Sequence, residues 1–157
     1  MSDLLDDGNT KVTFATSIAN IAAPTTTELN AGTALETYIT PSGLQIKAST
    51  ATVDTSSLAS TFTTQGVGRR SYAITVEMKR QTPVDTAYNL FPWRTSGYLV
   101  VRRTTLATTA WGSGQVVEVY PVSTGEPELA PPAPNEVAKF TSSMMVTSDP
   151  NTRAVIA

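Results

Sequence analysis

Glu77 and Glu118 stand in segments with strand-like alternation. Two carboxylates at the right separation are all that glycoside hydrolysis requires. The remaining catalytic repertoire is missing, because the 157 residues include no His and no Cys. That removes imidazole bases, thiolate nucleophiles, disulfides and Cys/His zinc sites. Nothing in the sequence draws the two glutamates into a cleft, so the expectation is a non-enzymatic chain without catalytic residues, metal or cofactor. Three basic pairs, Arg69-Arg70, Lys79-Arg80 and Arg102-Arg103, raise a second chemistry, a phosphate-binding track. Adjacent strand residues point to opposite faces, so at most one member of each pair serves a given face. The formal net charge of −2 also opposes dedicated nucleic-acid binding. These pairs read instead as solvated strand ends, or as partners for Asp3, Asp6 and Asp7 of another subunit. Trp93, Trp111, Tyr88 and Tyr98 offer a third chemistry, a stacking platform for a sugar or base. Aromatics more often fill cores and interfaces, which is the reading taken here.

The elements that must position these groups are mostly strands. Charged residues make up 15% of the chain, well below the usual quarter, and Thr, Ser and Ala fill the gap. Thr suits a pleated, half-exposed surface, so an all-β protein is expected, as one domain over 1–157. The clearest strand is Ser71–Arg80, where Tyr72, Ile74, Val76 and Met78 alternate with Ser71, Ala73, Thr75, Glu77 and Lys79. That register buries one face and leaves a mostly polar one. Before it runs Thr50–Gly68, poor in large residues and longer than the roughly 12–15 residues beyond which loops are uncommon. It reads as a long loop whose Leu58 and Phe62 dock on another subunit, with a plain flexible hairpin connection as the other reading.

Around this pair the chain divides readily. Residues 1–10 form an acidic arm, and Lys11–Ala15 a first strand. Thr25 and Glu28 have capping-box spacing, with Gly32 as the stop of a short helix. Glu36–Thr40 and Leu44–Ser49 read as two strands about a Pro41-Ser42-Gly43 turn. Asp85 is a candidate N-cap for a second short helix ending at Pro92. Gly97–Thr104 is a nearly continuous apolar strand covered on both faces. Gln115–Tyr120 is a strand stopped by Pro121, residues 126–135 a Pro-rich connection, and Ala138–Thr147 the last clear strand. Met1–Asn9 is acidic and no apolar run is long enough to cross a bilayer, so the chain is expected to be made and kept in a cytosol, or packaged from there.

Taken as a set, Pro24-Thr-Thr-Thr-Glu-Leu-Asn-Ala-Gly32, Asp54-Thr-Ser-Ser-Leu-Ala-Ser-Thr-Phe62 leading to Gly68-Arg-Arg-Ser71, Asn135-Glu-Val-Ala-Lys-Phe140 and Asp149-Pro-Asn151 resemble the major tail proteins, or tail tube proteins, of long-tailed bacteriophages, especially those of actinobacterial hosts. The resemblance covers nearly the whole chain. It implies a β-sandwich, or rolled antiparallel sheets, with one short helix and a long extended loop. It further implies hexameric rings whose strands join in an inner barrel, stacked into a tube that conducts DNA. The chain is expected to stop short of the extra immunoglobulin-like domain of some relatives. On this resemblance Asp54, Leu58, Phe62, Arg69 and Arg70 belong to the loop that reaches another ring or subunit. Ser71, Ala73, Thr75, Glu77 and Lys79 become a candidate lumen face, and Asp3, Asp6 and Asp7 the contacts of the arm. Expected partners are further copies of the chain, tape-measure, tail-tip and tail-terminator proteins, and DNA in non-specific passage, with no membrane. The expected location is the tail of a virion assembled in host cytoplasm. A β-sandwich binding module, an adhesin or carbohydrate-binding domain, is the alternative reading.

Overall fold

A computed structural model describes all of residues 1–157. In chain order it contains β1 (Lys11–Ala15), α1 (Thr26–Ala31), β2 (Thr33–Ala34), β3 (Ile39–Asp54), β4 (Gln65–Lys79), α2 (Thr86–Leu90), β5 (Ser96–Arg102), β6 (Val116–Thr124), β7 (Glu128–Leu129), β8 (Lys139–Val146) and β9 (Asn151–Val155). All nine strands join one antiparallel sheet of order β2-β1-β5-β6-β8-β4-β3, with β7 on β8 and β9 on β6. Residues of β1 and β4, far apart in this order, share one buried cluster, so the continuous sheet curls over a common core. Its ends, β2 and β3, follow one another in sequence. Leu35–Ile39 ties them together: the Leu35 amide donates to the Val12 carbonyl and the Lys79 amide to that of Tyr38.

Alternation within each strand explains why the roll has two cores. Even-numbered residues Val12 and Phe14 on β1, Ile74, Val76 and Met78 on β4, Tyr120 and Val122 on β6, and Phe140 and Met144 on β8 share one buried cluster with Leu99 and Val101 of β5. Helix α2 plugs this interior with Ala87 and the following Phe91, whose ring meets Phe14 edge-on at 4.9 Å. Tyr72 meets Tyr120 in the same way at 5.5 Å, and Tyr88 meets Phe140 at 5.2 Å. The opposite face of β1, β5 and β6 packs Ala15, Val100, Val117 and Val119 under Leu29 of α1 and the C-terminal Ala154 and Ile156. Thus β5 is covered on both faces, as its apolar run predicts.

Local expectations are met unevenly. The capping box forms: Thr25 Oγ1 accepts from the Glu28 amide at 3.2 Å and Glu28 Oε2 from the Thr25 amide at 2.9 Å. Two short helices are present where the resemblance implies one. Asp85 precedes α2 without capping it, because its carboxylate is taken by Arg80 Nε at 2.7 Å and by the Gln81 amide at 3.2 Å. Pro41-Ser42-Gly43 is no turn. It is an irregularity inside the single long strand β3, where the register to β4 shifts between Ile39 and Leu44. Gly43 is required there, since a Cβ would lie 2.5 Å from the Glu77 carbonyl oxygen. Nor does Pro121 end β6. It sits where the neighbour of β6 changes from β9, paired through Val119, to β8, paired from Val122. A residue without an amide proton is tolerated where the ladder changes partner. Within residues 126–135, Glu128 and Leu129 pair with Thr141 and Phe140, so the Pro-rich connection is pinned across β8.

Candidate assembly surface

Both ends of the expected loop Thr50–Gly68 are strand, paired with each other. Thr50 lies opposite Arg70, Thr52 opposite Val67, Val53 opposite Gly66 and Asp54 opposite Gln65, with a shift in register between Thr50 and Thr52. The sequence signal fails here because Thr, Ser and Ala on a strand exposed on both faces give no hydrophobic alternation. Strand β8 covers β4 only from Ala73 to Lys79. Beyond that point the hairpin stands clear of the sheet, and every residue from Lys47 to Gln65 is exposed. From Ala48 to Asp54 this arm reaches about 20 Å at roughly 3.4 Å per residue.

The tip, residues 55–64, is ordered by hydroxyl groups. The Thr55 amide donates to the Thr64 carbonyl at 3.0 Å, and the Thr64 amide to Ser56 Oγ at 3.0 Å. Asp54 accepts from the Ser56 amide at 2.8 Å, and the Ser56 hydroxyl and amide together hold its carboxyl below the usual range. The Phe62 amide donates to Ser60 Oγ at 3.1 Å. This tip contains no helical turn, so the four-residue spacing of Leu58 and Phe62 does not pair them. Each projects alone, Leu58 fully exposed and Phe62 74% exposed, with Val67 88% exposed further down the arm.

Other expected site residues fall in different places. Arg70 pairs with Asp149 at the root of the arm, Arg80 with Asp85, and Arg103 with Glu118 at 2.9 Å. Within the single subunit these basic residues thus have carboxylate partners on their own chain. Asp6 and Asp7 instead rim a groove with Glu36 and Arg103, next to the Gly8 carbonyl that accepts from the Ala107 amide. Arg69 is exposed and makes no ion pair. Arg102 is no solvated strand end. It is wholly buried, its guanidinium donating to the carbonyls of Leu106 (2.8 Å), Thr109 (2.9 Å) and Ala110 (3.1 Å) and to Gln115 Oε1 (2.8 Å), 5.1 Å from the Trp111 ring centre. Burial lowers its affinity for the proton, and the charge of Glu36 partly restores it. An Arg before a turn gives no sign in sequence that it will gather the turn around itself.

Glu77 and Glu118 are not neighbours. Strand β8 lies between β4 and β6, Glu77 accepts from Thr40 Oγ1 at 2.9 Å, and Glu118 is held by Arg103. The four aromatics do not converge either. Tyr88 packs on the first core, Trp111 and Tyr98 belong to the second, and Trp93 stands 60% exposed under Arg94.

The outer face of β4 is the remaining candidate. Ser71, Ala73, Thr75, Glu77 and Lys79 alternate with the buried row. Their partners in register are Ser49, Lys47 and Gln45 on β3, and Met145, Ser143, Thr141 and Lys139 on β8. Small hydroxyl and amide groups thus dominate a three-strand face carrying Lys47, Glu77, Lys79 and Lys139. The sheet thus has a buried apolar face, a hydroxyl-rich outer face and a long two-stranded arm, and the family model that matches residues 1–157 is that of the phage tail tube protein. The chain belongs to the phage tail tube protein family. No curated protein matches the sequence. Among solved structures the chain is similar to one in the cryo-EM structure of the anti-feeding prophage (AFP) baseplate, 6-fold symmetrised. The TM-score is 0.55 with 12% identity, over 96% of both chains, so the likeness is one of fold. As a tail tube family member the chain is a structural protein of the phage tail. No helix is long and apolar enough to cross a membrane.

Proposed function

We propose that the subunit closes with copies of itself into hexameric rings that stack into the tail tube through which DNA passes. The observation that carries this reading is the β3–β4 arm. Isolated two-stranded hairpins are marginal in water, yet this one extends well past the sheet and ends in two exposed apolar side chains. Docking the arm on a neighbour buries Leu58 and Phe62 and pairs the outer edge of β3, which has no strand beside it in the single subunit. An unpaired edge is an aggregation hazard, and closure of a ring removes it. Hexameric number accords with the sixfold symmetry of the baseplate structure that the fold resembles.

In this arrangement the face of Ser71, Ala73, Thr75, Glu77 and Lys79 lines the lumen, and the arm with Asp54, Leu58, Phe62, Arg69 and Arg70 reaches the next subunit or ring. Hydroxyl groups and mixed charges let a polyanion slide, whereas a continuous basic row would bind it by counterion release. Ring stacking is open-ended, so tube length is set by other tail proteins, of the tape-measure, tail-tip and terminator kinds, in a virion built in host cytoplasm. Electron microscopy of the purified protein tests the reading, with rings or tubes as the expected outcome. A strictly monomeric particle at high concentration, even beside a tail-tip initiator, would overturn it.

A further inference from the structure

Between α2 and β5 the loop Phe91–Thr95 is anchored on one buried residue, Thr124. The Thr124 hydroxyl donates to the Pro92 carbonyl at 2.9 Å and accepts from the Thr95 amide at 3.0 Å. Its backbone amide donates to the Thr95 carbonyl and its carbonyl accepts from the Arg94 amide, each at 2.9 Å. So fixed, Arg94 takes a φ of 65°, a left-handed conformation uncommon outside glycine, which persists only where the surrounding bonds impose it. The Arg94 guanidinium lies 4.4 Å from the centre of the Trp93 ring, and both side chains are exposed. Arg94 forms no ion pair in the subunit. A rigidly held indole beside a free guanidinium has the composition of an interface anchor, because little side-chain freedom remains to be lost on contact.

A matching surface begins where β6 ends. The connection to β8 runs Glu126-Pro-Glu-Leu-Ala-Pro-Pro-Ala-Pro134 and is exposed from Glu128 onward. Pairing of Glu128 and Leu129 with β8, and the Ala130 amide on the Lys139 carbonyl at 3.0 Å, hold the first half of this strap in place. Extended proline-rich chain is a common target of aromatic side chains, since its rings are already in position. Glu126 and Glu128 form no ion pair. The other charged groups around the strap offset one another, Arg80 with Asp85, Lys139 with Glu136, and Lys79 with Glu77 on β4, so the strap keeps the two negative charges of its glutamates. Arg94 supplies the opposite sign. Within one subunit the Trp93 ring stays largely uncovered, so a strap that covers it belongs to another copy.

We infer that the Trp93–Arg94 knob of one copy seats on the Glu126–Pro134 strap of a second copy of the chain, the indole lying on the proline rings while the guanidinium meets the two glutamates. The inference rests on the self-assembly reading and adds a contact that uses neither the arm nor the N-terminal segment. Each subunit carries both knob and strap, so the contact repeats head to tail from copy to copy.

Charge reversal with rescue tests the contact in full-length protein. Arg94→Glu removes no side-chain hydrogen bond or ion pair of the folded subunit, so its melting temperature before assembly should match the parent, while the concentration needed for assembly should rise about tenfold. Adding Glu126→Lys and Glu128→Lys to it should restore most of the loss. An unchanged threshold, or a raised one that the added substitutions leave raised, refutes the contact and leaves the assembly reading intact; parent protein that never assembles overturns both. A photocrosslinker in place of Trp93, in assemblies of equal amounts of isotope-labelled and unlabelled chains, should join residues 126–134 in mixed-isotope pairs. Crosslinks confined to one chain, or directed elsewhere, overturn the inference.

Discussion

At the scale of single residues, neighbours on one strand have opposite fates. Val76 is fully buried between β3 and β8, and Thr75 beside it faces out. Val76→Asp buries a charge without a partner, at a cost of about 4–5 kcal/mol, enough to unfold a marginally stable domain. Thr75→Asp should leave the thermal midpoint within a few degrees of the parent, and circular dichroism melts of both variants distinguish them. Arg102 makes a second case. Its replacement by Met removes four hydrogen bonds and leaves the Thr109 carbonyl without a donor, and should cost about 3 kcal/mol in urea unfolding. Lys in its place keeps the charge but not the planar fork, and should recover only part of the loss. Glu28 adds a pH dependence. The amides of Thr25 and Ala19, in that order, hold its carboxyl below the ordinary 4.5. The unfolded chain therefore takes up the proton first, so this contribution is complete above the unfolded value and is lost as pH falls through the folded one. Glu28→Gln should accordingly destabilise the protein at pH 7, with the gap to the parent closing in acid titrations monitored by circular dichroism.

At the scale of elements, the arm is separable from the roll. Deleting Ser56–Thr64 removes only exposed residues whose bonds reach no further than Asp54 and Thr55, so the subunit should remain folded, with an unchanged melting curve, while tubes no longer form. Tubes of normal length from the deleted chain would reduce the arm to a linker. Sequence patterning reached the roll more easily than the arm. Where one face is buried, as in Tyr72–Met78, alternation is visible, and where both are, as in Leu99–Val101, the apolar run is. The outer halves of β3 and β4 bury neither face in one subunit, so their composition resembles a loop. Pro41 and Pro121 misled for a different reason: a proline marks a missing donor, and a strand tolerates that at an irregularity or a change of partner. Of the candidate surface, the polar row on β4 followed from alternation alone. The basic residues did not, because Asp85, Glu118 and Asp149 come to them only through the fold.

For the whole molecule, the proposed ring would make the outer face of β3, β4 and β8 a repeated surface. One subunit presents few charges there, but such a ring would multiply whatever each presents. In tubes, Thr75→Lys adds a basic group per subunit to the proposed lumen, and counterion release then favours retained DNA. Tubes of this variant should hold added DNA at low salt and release it at high salt in a cosedimentation assay, whereas parent tubes should retain little at either. Equal behaviour would place this face outside the lumen.

The second core also bears on timing. Strand β9 zips onto β6, the Val155 and Ala157 amides reach back to the carbonyls of Ala22 and Pro24, and Ala154 and Ile156 complete the packing under α1. Residues near both termini thus meet across almost the full length of the polypeptide, the kind of distant pairing that slows folding. On a ribosome, the cluster beneath α1 stays incomplete until residues 151–157 have emerged. A nascent chain that has not yet released β9 therefore cannot present a finished roll.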